Sequence, residues 1–284
     1  MDPLFIILAL PIGILVGLGA GVIGLTAWPL LVPLLFVFGG FPLHDALLSS
    51  ILIDLVTAIT LSIFYVRRPE VGVEGVQGFK LGGVAGFMAI TAAIIAFPLL
   101  EQFSDMFRGG SAIITLLFGA VFIIQAVRMK DSLRSEISTS EKTSSISREE
   151  RRSDRISDKQ KAIISYGFCA FQGFLTGMIA MGGAMMIALV LMFLVGYSTL
   201  RAVGTAMIIS TIMLLVTAVV YLLFLGFALS TMSIVVLYAT IAVISCLIAV
   251  TRVQNIPERK LRFIIGIVVL VAAIFATFQV YVLE

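Results

Sequence analysis

Long apolar runs dominate the chain and are separated by short polar or charged stretches. Each of these runs reaches the roughly 20 residues that a helix needs to cross a bilayer. They lack the period-two alternation that marks the strands of a membrane barrel. The pattern therefore predicts an all-α polytopic membrane protein that lies in a lipid bilayer. The eight apolar blocks are residues 3–38, 46–66, 78–100, 109–128, 162–195, 202–225, 231–251 and 262–283.

The blocks 3–38 and 162–195 are too long for one span and too short for two. Between Lys161 and Arg201 no charged residue occurs over 39 positions. As one helix this stretch would measure about 58 Å, roughly twice the hydrocarbon core. Non-helical backbone survives at membrane depth only where protein or a polar cavity surrounds it. We therefore expect both blocks to form broken or re-entrant helical hairpins.

The two halves of the chain resemble each other. Residues 17–50 can be laid on residues 173–206 at a constant offset of 156. Each half is then one hairpin plus three transmembrane helices, which is an odd number of crossings, so inverted repeats are favoured. The expected domains are a first repeat (1–128), a charged cytoplasmic linker (129–161) and a second repeat (162–284). The matched pairs are Gly17 with Gly173, Gly21 with Gly177, Gly40 with Gly196, Ala46 with Ala202, and Ser49 with Thr205.

Charge patterning sets the expected orientation. Of the 19 Lys and Arg residues, ten lie between Arg128 and Lys161, which places the linker in the cytoplasm. Arg67-Arg68 is expected on the same side, and the cluster beginning at Arg252 shares that side only if block 162–195 enters and returns. The net charge of +3 thus reflects topology, and we expect no nucleic-acid partner. The expected location is the cytoplasmic (inner) membrane.

Composition gives little support for an enzyme or a metal protein. Hydrophobic residues make up 60% of the 284 positions and charged residues 12%. One histidine cannot build a multi-histidine metal centre, and both cysteines sit in apolar runs as small hydrophobic residues. Nucleotide-binding and nucleophile-elbow motifs are missing. We therefore expect no catalytic residue, no metal and no cofactor.

Glycine clusters occur near the start of both long blocks and are candidates for the turns. The first turn is expected around Gly17, Gly19, Gly21 and Gly24, and the second around Gly177, Gly182 and Gly183. A helix that restarts after such a break points free N–H groups and its positive dipole end inward, where an oxyanion fits. The alternative is that these glycines only allow close helix packing.

Hydroxyl residues and one acid follow the hairpins. Ser49, Ser50 and Thr205 could donate to an anionic oxygen, or they could bond back to their own helix; Ser210-Thr211 also lies in this stretch. Asp54 has apolar neighbours on both sides, which marks it as a proton or cation carrier or as half of an ion pair.

Three further polar residues keep two interpretations each. Arg201 could bind the anion or serve as an interfacial anchor. His44 is either a surface loop residue or a proton relay. Gln172 must find a hydrogen-bond partner and could also line the pathway.

At the hairpins the chain resembles the sulfite exporter TauE/SafE family, also called the 4-toluene sulfonate uptake permeases. That family carries glycine-rich stretches followed by proline, and then a small-residue stretch, near the start of each half. The chain departs from this pattern at the first glycine triplet, replaced by Thr26-Ala27-Trp28, and at the second proline, replaced by Leu189. The matching segments are Gly24-Leu25-Thr26-Ala27-Trp28 with Pro33, Ala180-Met181-Gly182-Gly183-Ala184, Leu48-Ser49-Ser50 and Gly204-Thr205-Ala206.

The resemblance implies a carrier for sulfite, sulfonates or related organosulfur anions. Combined with the hairpins, it predicts alternating access with protons, or another coupling ion, carried by Asp54. Two alternatives stay open, namely a cation or metal permease that uses Asp54 and a non-transporting assembly or regulatory subunit; homo-oligomerisation is also left open. The expected substrate-binding residues are Gly21, Gly24, Thr26, Trp28, Ser49, Ser50, Gly177, Gly182, Gly183, Thr205 and Arg201.

Overall fold

The computed structural model describes residues 3–24, 26–102, 157–226 and 229–252, together with Ile267, Leu270 and Ile274. The predicted block 109–128, most of the linker and nearly all of the block 262–283 lie outside these residues. Every regular element in the described part of the chain is helical, so the all-α prediction is confirmed there.

The described helices occur as two series that follow the same order. The first series is α1 (Pro3–Ile23), α2 (Trp28–Pro33), a π-helical turn (Leu34–Phe38), α3 (Leu43–Val66), a 3₁₀ turn (Pro69–Val71) and α4 (Gly75–Gln102). The second is α5 (Asp158–Ile179), α6 (Ala184–Val190), a π-helical turn (Leu191–Val195), α7 (Thr199–Leu225) and α8 (Leu229–Arg252).

Helices α3, α4, α5, α7 and α8 are long and apolar enough to cross a membrane. Helix α1 carries a shorter apolar stretch, Ile7–Gly21. The chain is therefore a multi-pass membrane protein.

Both long blocks are broken, as expected, and the breaks fall at matching positions. Helix α1 ends before Gly24 (φ +73°), and α5 ends before Ala180 (φ +58°). These two residues are 156 positions apart, which is the offset between the two halves. A left-handed residue terminates a helix because it turns the chain away from the axis. The first break thus begins at Gly24, after the end of α1, whereas the expected Gly17, Gly19 and Gly21 lie inside α1.

Close packing explains why the upstream glycines remain helical. Gly17 and Gly21 of α1 lie against α8, where a methyl group on Gly21 would come within 2.9 Å of the Ala249 Cβ atom. Gly173 and Gly177 of α5 lie in the same way against the backbone of α4. The packing interpretation of these four glycines therefore fits, since small residues let helix backbones approach closely in membranes.

Contacts along α4 fix the directions of its neighbours. Gly78 lies against Ile208 and Gly82 against Ile212, so α4 and α7 run parallel. The order of the α4–α5 contacts also rises along both helices, from Gly173 at Ala85 to Gly177 at Ala89. Because α5 and α7 begin at the same end of the bundle, residues 180–198 lead the chain back to that end.

Helix α3 runs opposite to α7. The hydroxyls of Ser62 and Thr211 lie 3.0 Å apart, while Tyr65, further along α3, approaches the earlier Gly204 of α7. These two helices, which hold the same place in the two series, therefore run in opposite directions.

Candidate functional site

The two helix breaks meet at a small buried cavity. A methyl group on Gly24 would lie 3.2 Å from the backbone nitrogen of Met185, at the start of α6. The free volume is about 20 Å³, roughly the room that one water molecule needs. Its lining comprises Ala20, Gly24, Thr26, Asp54, Thr57, Ala58, Gly182, Gly183, Ala184, Met207, Ser210 and Leu214.

Asp54 connects the first break to the second. Its side chain projects from the middle of α3 and is 4% exposed. The backbone N–H of Ala27, in the first break, donates to Asp54 Oδ1 at 2.6 Å. Oδ2 has no hydrogen-bond partner among the described residues, and a methyl group on Gly182 would lie 2.9 Å from it. One carboxylate oxygen thus fixes the break of the first half while the other faces the break of the second.

The second break is held through the carbonyl group of Met181. Gln172 Nε2 donates to the Met181 carbonyl oxygen at 3.2 Å, and the Thr176 hydroxyl donates to the same oxygen at 2.7 Å. The Gln172 side chain also lies so close to Gly183 that a methyl group there would overlap it. Gln172 therefore hydrogen-bonds to the backbone of the second break. Its side chain packs against Gly183, which lines the cavity.

The predicted hydroxyls divide into paired and unpaired groups. Ser49 donates to the Asp45 carbonyl at 2.6 Å, which is the back-bonding alternative. The Thr205 hydroxyl accepts the backbone N–H of Glu74 at 3.2 Å. Ser50 is fully buried, and its hydroxyl has no partner among the described residues. None of these three is among the described residues that line the cavity.

Arg201 lies at the end of the bundle rather than at the cavity. Its guanidinium pairs with Glu74 and stacks 4.3 Å above the Tyr197 ring. The Tyr197 hydroxyl donates to Gln77 at 2.7 Å, and burial, followed by the nearby Glu74 carboxylate, raises the pKa of Tyr197. These contacts tie the start of α7 to the connection between α3 and α4, which suits the anchor interpretation.

His44 lies on the surface at the start of α3. Its Nε2 atom is 3.4 Å from Asp45 Oδ1, and the side chain is 40% exposed. The other oxygen of Asp45 accepts the Thr231 hydroxyl at 3.3 Å, which joins the starts of α3 and α8.

Three other predicted residues lie near the breaks but outside the described cavity lining. Trp28 is 1% exposed, and its indole N–H has no partner among the described residues. Gly21 and Gly177 present their carbonyls to the hydroxyls of Tyr65 and Tyr221. Of the predicted residues, the cavity brings together Gly24, Thr26, Asp54, Gly182 and Gly183.

Ser210 lines the cavity and was not among the predicted binding residues. Its hydroxyl is buried and has no partner in the described part of the chain. The sequence did carry a signal, because the repeat offset of 156 places Ser210 on Asp54.

The geometry defines a class: a polytopic α-helical membrane protein in which two broken helices, one from each half, close around a small cavity whose mostly apolar wall includes the side chains of Thr26, Asp54, Thr57 and Ser210. A family model described as Sulfite exporter TauE/SafE matches residues 7–276, and the chain belongs to that family. The resemblance seen in the hairpin motifs is thereby confirmed. Family membership indicates a membrane exporter of sulfite or a related anion rather than an enzyme. No curated protein and no solved structure matched the chain.

Proposed function

We propose that this chain is a secondary transporter that moves sulfite, sulfonates or related organosulfur anions across the cytoplasmic membrane by alternating access. The observation that carries the proposal is the meeting of two chain breaks at a buried cavity whose wall includes Asp54. Broken helices that meet at a repeat interface are the usual place for a transporter's substrate.

Backbone and side-chain donors would hold the anion. In the first half the Ala27 N–H already binds Asp54, and the Leu30 and Leu31 N–H groups donate to the Ala27 carbonyl oxygen. The start of α6 supplies backbone N–H groups, and that of Met185 lies beside Gly24. Such groups favour negative charge without a cationic side chain. Among the described lining residues there is no Lys or Arg, so the site depends on these neutral donors.

Alternating access follows from inverted halves. The opposite directions of α3 and α7, and the return of the chain between α5 and α7, support inverted repeats with re-entrant hairpins. A cavity of about 20 Å³ is smaller than a sulfur oxyanion requires, since it has room for about one water. We infer that this conformation is closed and that the hairpins separate on one side at a time to admit the anion.

Asp54 would couple transport to protons. An anion beside Asp54 opposes ionisation of the carboxyl group, and ionisation opposes anion binding by the same amount of free energy. When protonated, the carboxyl can instead donate a hydrogen bond from Oδ2 while Oδ1 keeps the Ala27 N–H. Proton and anion therefore bind together and leave together.

Transport assays in proteoliposomes test this proposal. We expect saturable uptake of labelled sulfite or a small sulfonate that increases when an inward proton gradient is imposed. Asp54→Asn keeps an oxygen for the Ala27 N–H but cannot carry a proton, so it should lose the response to the gradient. Glu70→Gln, which changes an exposed acid in the α3–α4 connection, is the matched control. Folded wild-type protein that takes up neither anion would contradict the proposal.

One observation favours a second candidate, a cation permease. Asp54 is the only charged side chain among the described lining residues, and a carboxylate attracts a cation. Among the described residues, however, no group of three or more His, Cys, Asp or Glu side chains could hold a metal ion. Cation uptake by the same vesicles, abolished by Asp54→Asn and independent of sulfite, would establish this alternative.

A further inference from the structure

Asp54 and Ser210 occupy the same position in the two halves. They are 156 residues apart, which is the repeat offset, and they project from α3 and α7 into one cavity. Asp54 is 4% exposed and Ser210 is 1% exposed. Asp54 Oδ2 and the Ser210 hydroxyl oxygen both lack a hydrogen-bond partner among the described residues.

The surroundings of the two positions also correspond. Ala27, whose N–H binds Asp54, falls on Gly183 under the same offset, and Thr26 falls on Gly182. Thr26, Gly182 and Gly183 all line the cavity. Asp54 thus bonds to the break of its own half, and the equivalents of that break in the second half line the same cavity as Ser210.

The Ser210 hydroxyl differs from its neighbours on α7. A serine or threonine inside a helix commonly donates to the carbonyl one turn earlier. Thr211 does so to Met207 at 2.8 Å, and Thr217 does so to Met213 at 2.7 Å. Ser210 makes no such bond in the described structure. Leaving a buried hydroxyl unpaired is costly, which points to a ligand as its partner.

Resting on the transport function proposed above, we propose that the Ser210 hydroxyl, in the second half, donates a hydrogen bond to the transported oxyanion. Asp54, at the equivalent position of the first half, carries the proton, so that about one proton accompanies each anion. An oxyanion offers only acceptors, and a serine hydroxyl donates to it at any physiological pH. The carboxyl of Asp54 donates only when protonated. Ala27 and Gly182 lie against Asp54, and among the described residues that line the cavity no other side chain titrates near neutral pH.

Calorimetric titration of the purified full-length protein with sulfite separates the two roles. Titrations in buffers of different ionisation enthalpy give both the affinity and the number of protons taken up. Sulfite itself also binds protons. The number of protons taken up by the protein is therefore the uptake measured for each variant minus the uptake measured for Asp54→Asn. This difference is measured at increasing pH until it no longer changes.

We expect Ser210→Ala to weaken sulfite binding about tenfold or more, since it removes a hydrogen bond to a charged group. The proton difference should stay at about one, because Asp54 is intact. Thr217→Val, which removes a buried hydroxyl already bonded within α7, should change neither quantity. Wild-type affinity in Ser210→Ala would overturn the role of Ser210.

The exchanged variant D54S/S210D tests the equivalence of the two positions. It moves the carboxyl group to the second half, where Gly183 takes the place of Ala27, and we expect a proton difference of about one again. A folded exchanged variant that binds sulfite without any proton difference would contradict the equivalence. Absence of sulfite binding by the wild-type protein would contradict the transport function itself. Normal sulfite binding by Ser210→Ala would contradict only the role of Ser210, so the two failures are distinguishable.

Discussion

The hydroxyl of Tyr221 donates to the carbonyl oxygen of Gly177 at 3.0 Å, and an equivalent bond occurs in the first half. There Tyr65 donates to Gly21 at 3.3 Å, and both pairs are separated by 44 residues. Each tyrosine lies near the end of a long helix, α3 or α7, and each glycine lies shortly before a break. The repeat is therefore present in the hydrogen bonds as well as in the sequence.

Removal of either tyrosine hydroxyl should destabilise the fold. We expect Tyr221→Phe and Tyr65→Phe each to lower the free energy of unfolding by about 0.5–1.5 kcal/mol, the usual net worth of a buried hydrogen bond. Thermal unfolding in detergent measures the effect. Tyr166→Phe, at a partly exposed position of α5, is the control. Equal melting temperatures for all three variants would show that the two bonds contribute nothing.

Gly182 should tolerate no side chain, because it faces Asp54 and Thr26. A methyl group there would lie 2.9 Å from Asp54 Oδ2 and 2.9 Å from Thr26 Cγ2. We expect Gly182→Ala to cost about 1–3 kcal/mol of stability through overpacking and to abolish sulfite binding. In contrast, Gly83→Ala meets open space on α4 and should stabilise by up to about 1 kcal/mol. Unfolding and sulfite titrations of both variants check this, and normal binding by Gly182→Ala would place the site elsewhere.

The sequence predicted the helical spans and the two broken blocks because hydropathy and block length report them directly. It could not place the first turn, since a glycine that packs against a helix and a glycine that ends one look alike. Gly21 packs against Ala249, which lies more than 200 residues away in the chain, whereas Gly24 takes the left-handed backbone conformation that ends α1.

The sequence likewise could not predict the hydrogen-bond and ion-pair partners of the polar residues. Asp54 is fixed by the backbone N–H of Ala27, a group that every residue except proline carries. Arg201 is paired with Glu74, 127 residues earlier. Ser210 could have been found, because the offset of 156 that was read from the glycines also relates it to Asp54.

The pair between Arg201 and Glu74 should contribute to stability and little to substrate affinity. Both side chains are 38% exposed, so the ion pair is worth only about 0.2–1 kcal/mol, with a similar amount from stacking on Tyr197. We expect Arg201→Gln to lower the melting temperature slightly and to leave the sulfite affinity within about twofold. The exchanged variant R201E/E74R should recover the ion-pair part of the lost stability. A large loss of affinity in Arg201→Gln that Glu74→Gln does not reproduce would return Arg201 to the binding site.

Pro42 and Ser198 offer a direct test of inverted repeats. They are related by the offset of 156, both are exposed, and each precedes a long helix, α3 or α7. Because α3 and α7 run in opposite directions, we expect cysteines at these two positions to react with an impermeant reagent from opposite sides of the membrane. The background would lack Cys169 and Cys246, the two cysteines of the chain.

A third position separates the hairpin from a full crossing. Ser157 is exposed and caps the start of α5. If block 162–195 enters and returns, a cysteine at Ser157 should react from the same side as one at Ser198, because α5 and α7 begin at the same end of the bundle. Labelling of Ser157 and Ser198 from opposite sides would exclude the re-entrant hairpin, and labelling of Pro42 and Ser198 from the same side would exclude inverted halves. The two outcomes are independent, so the topology of each hairpin and the relation between the halves are decided separately.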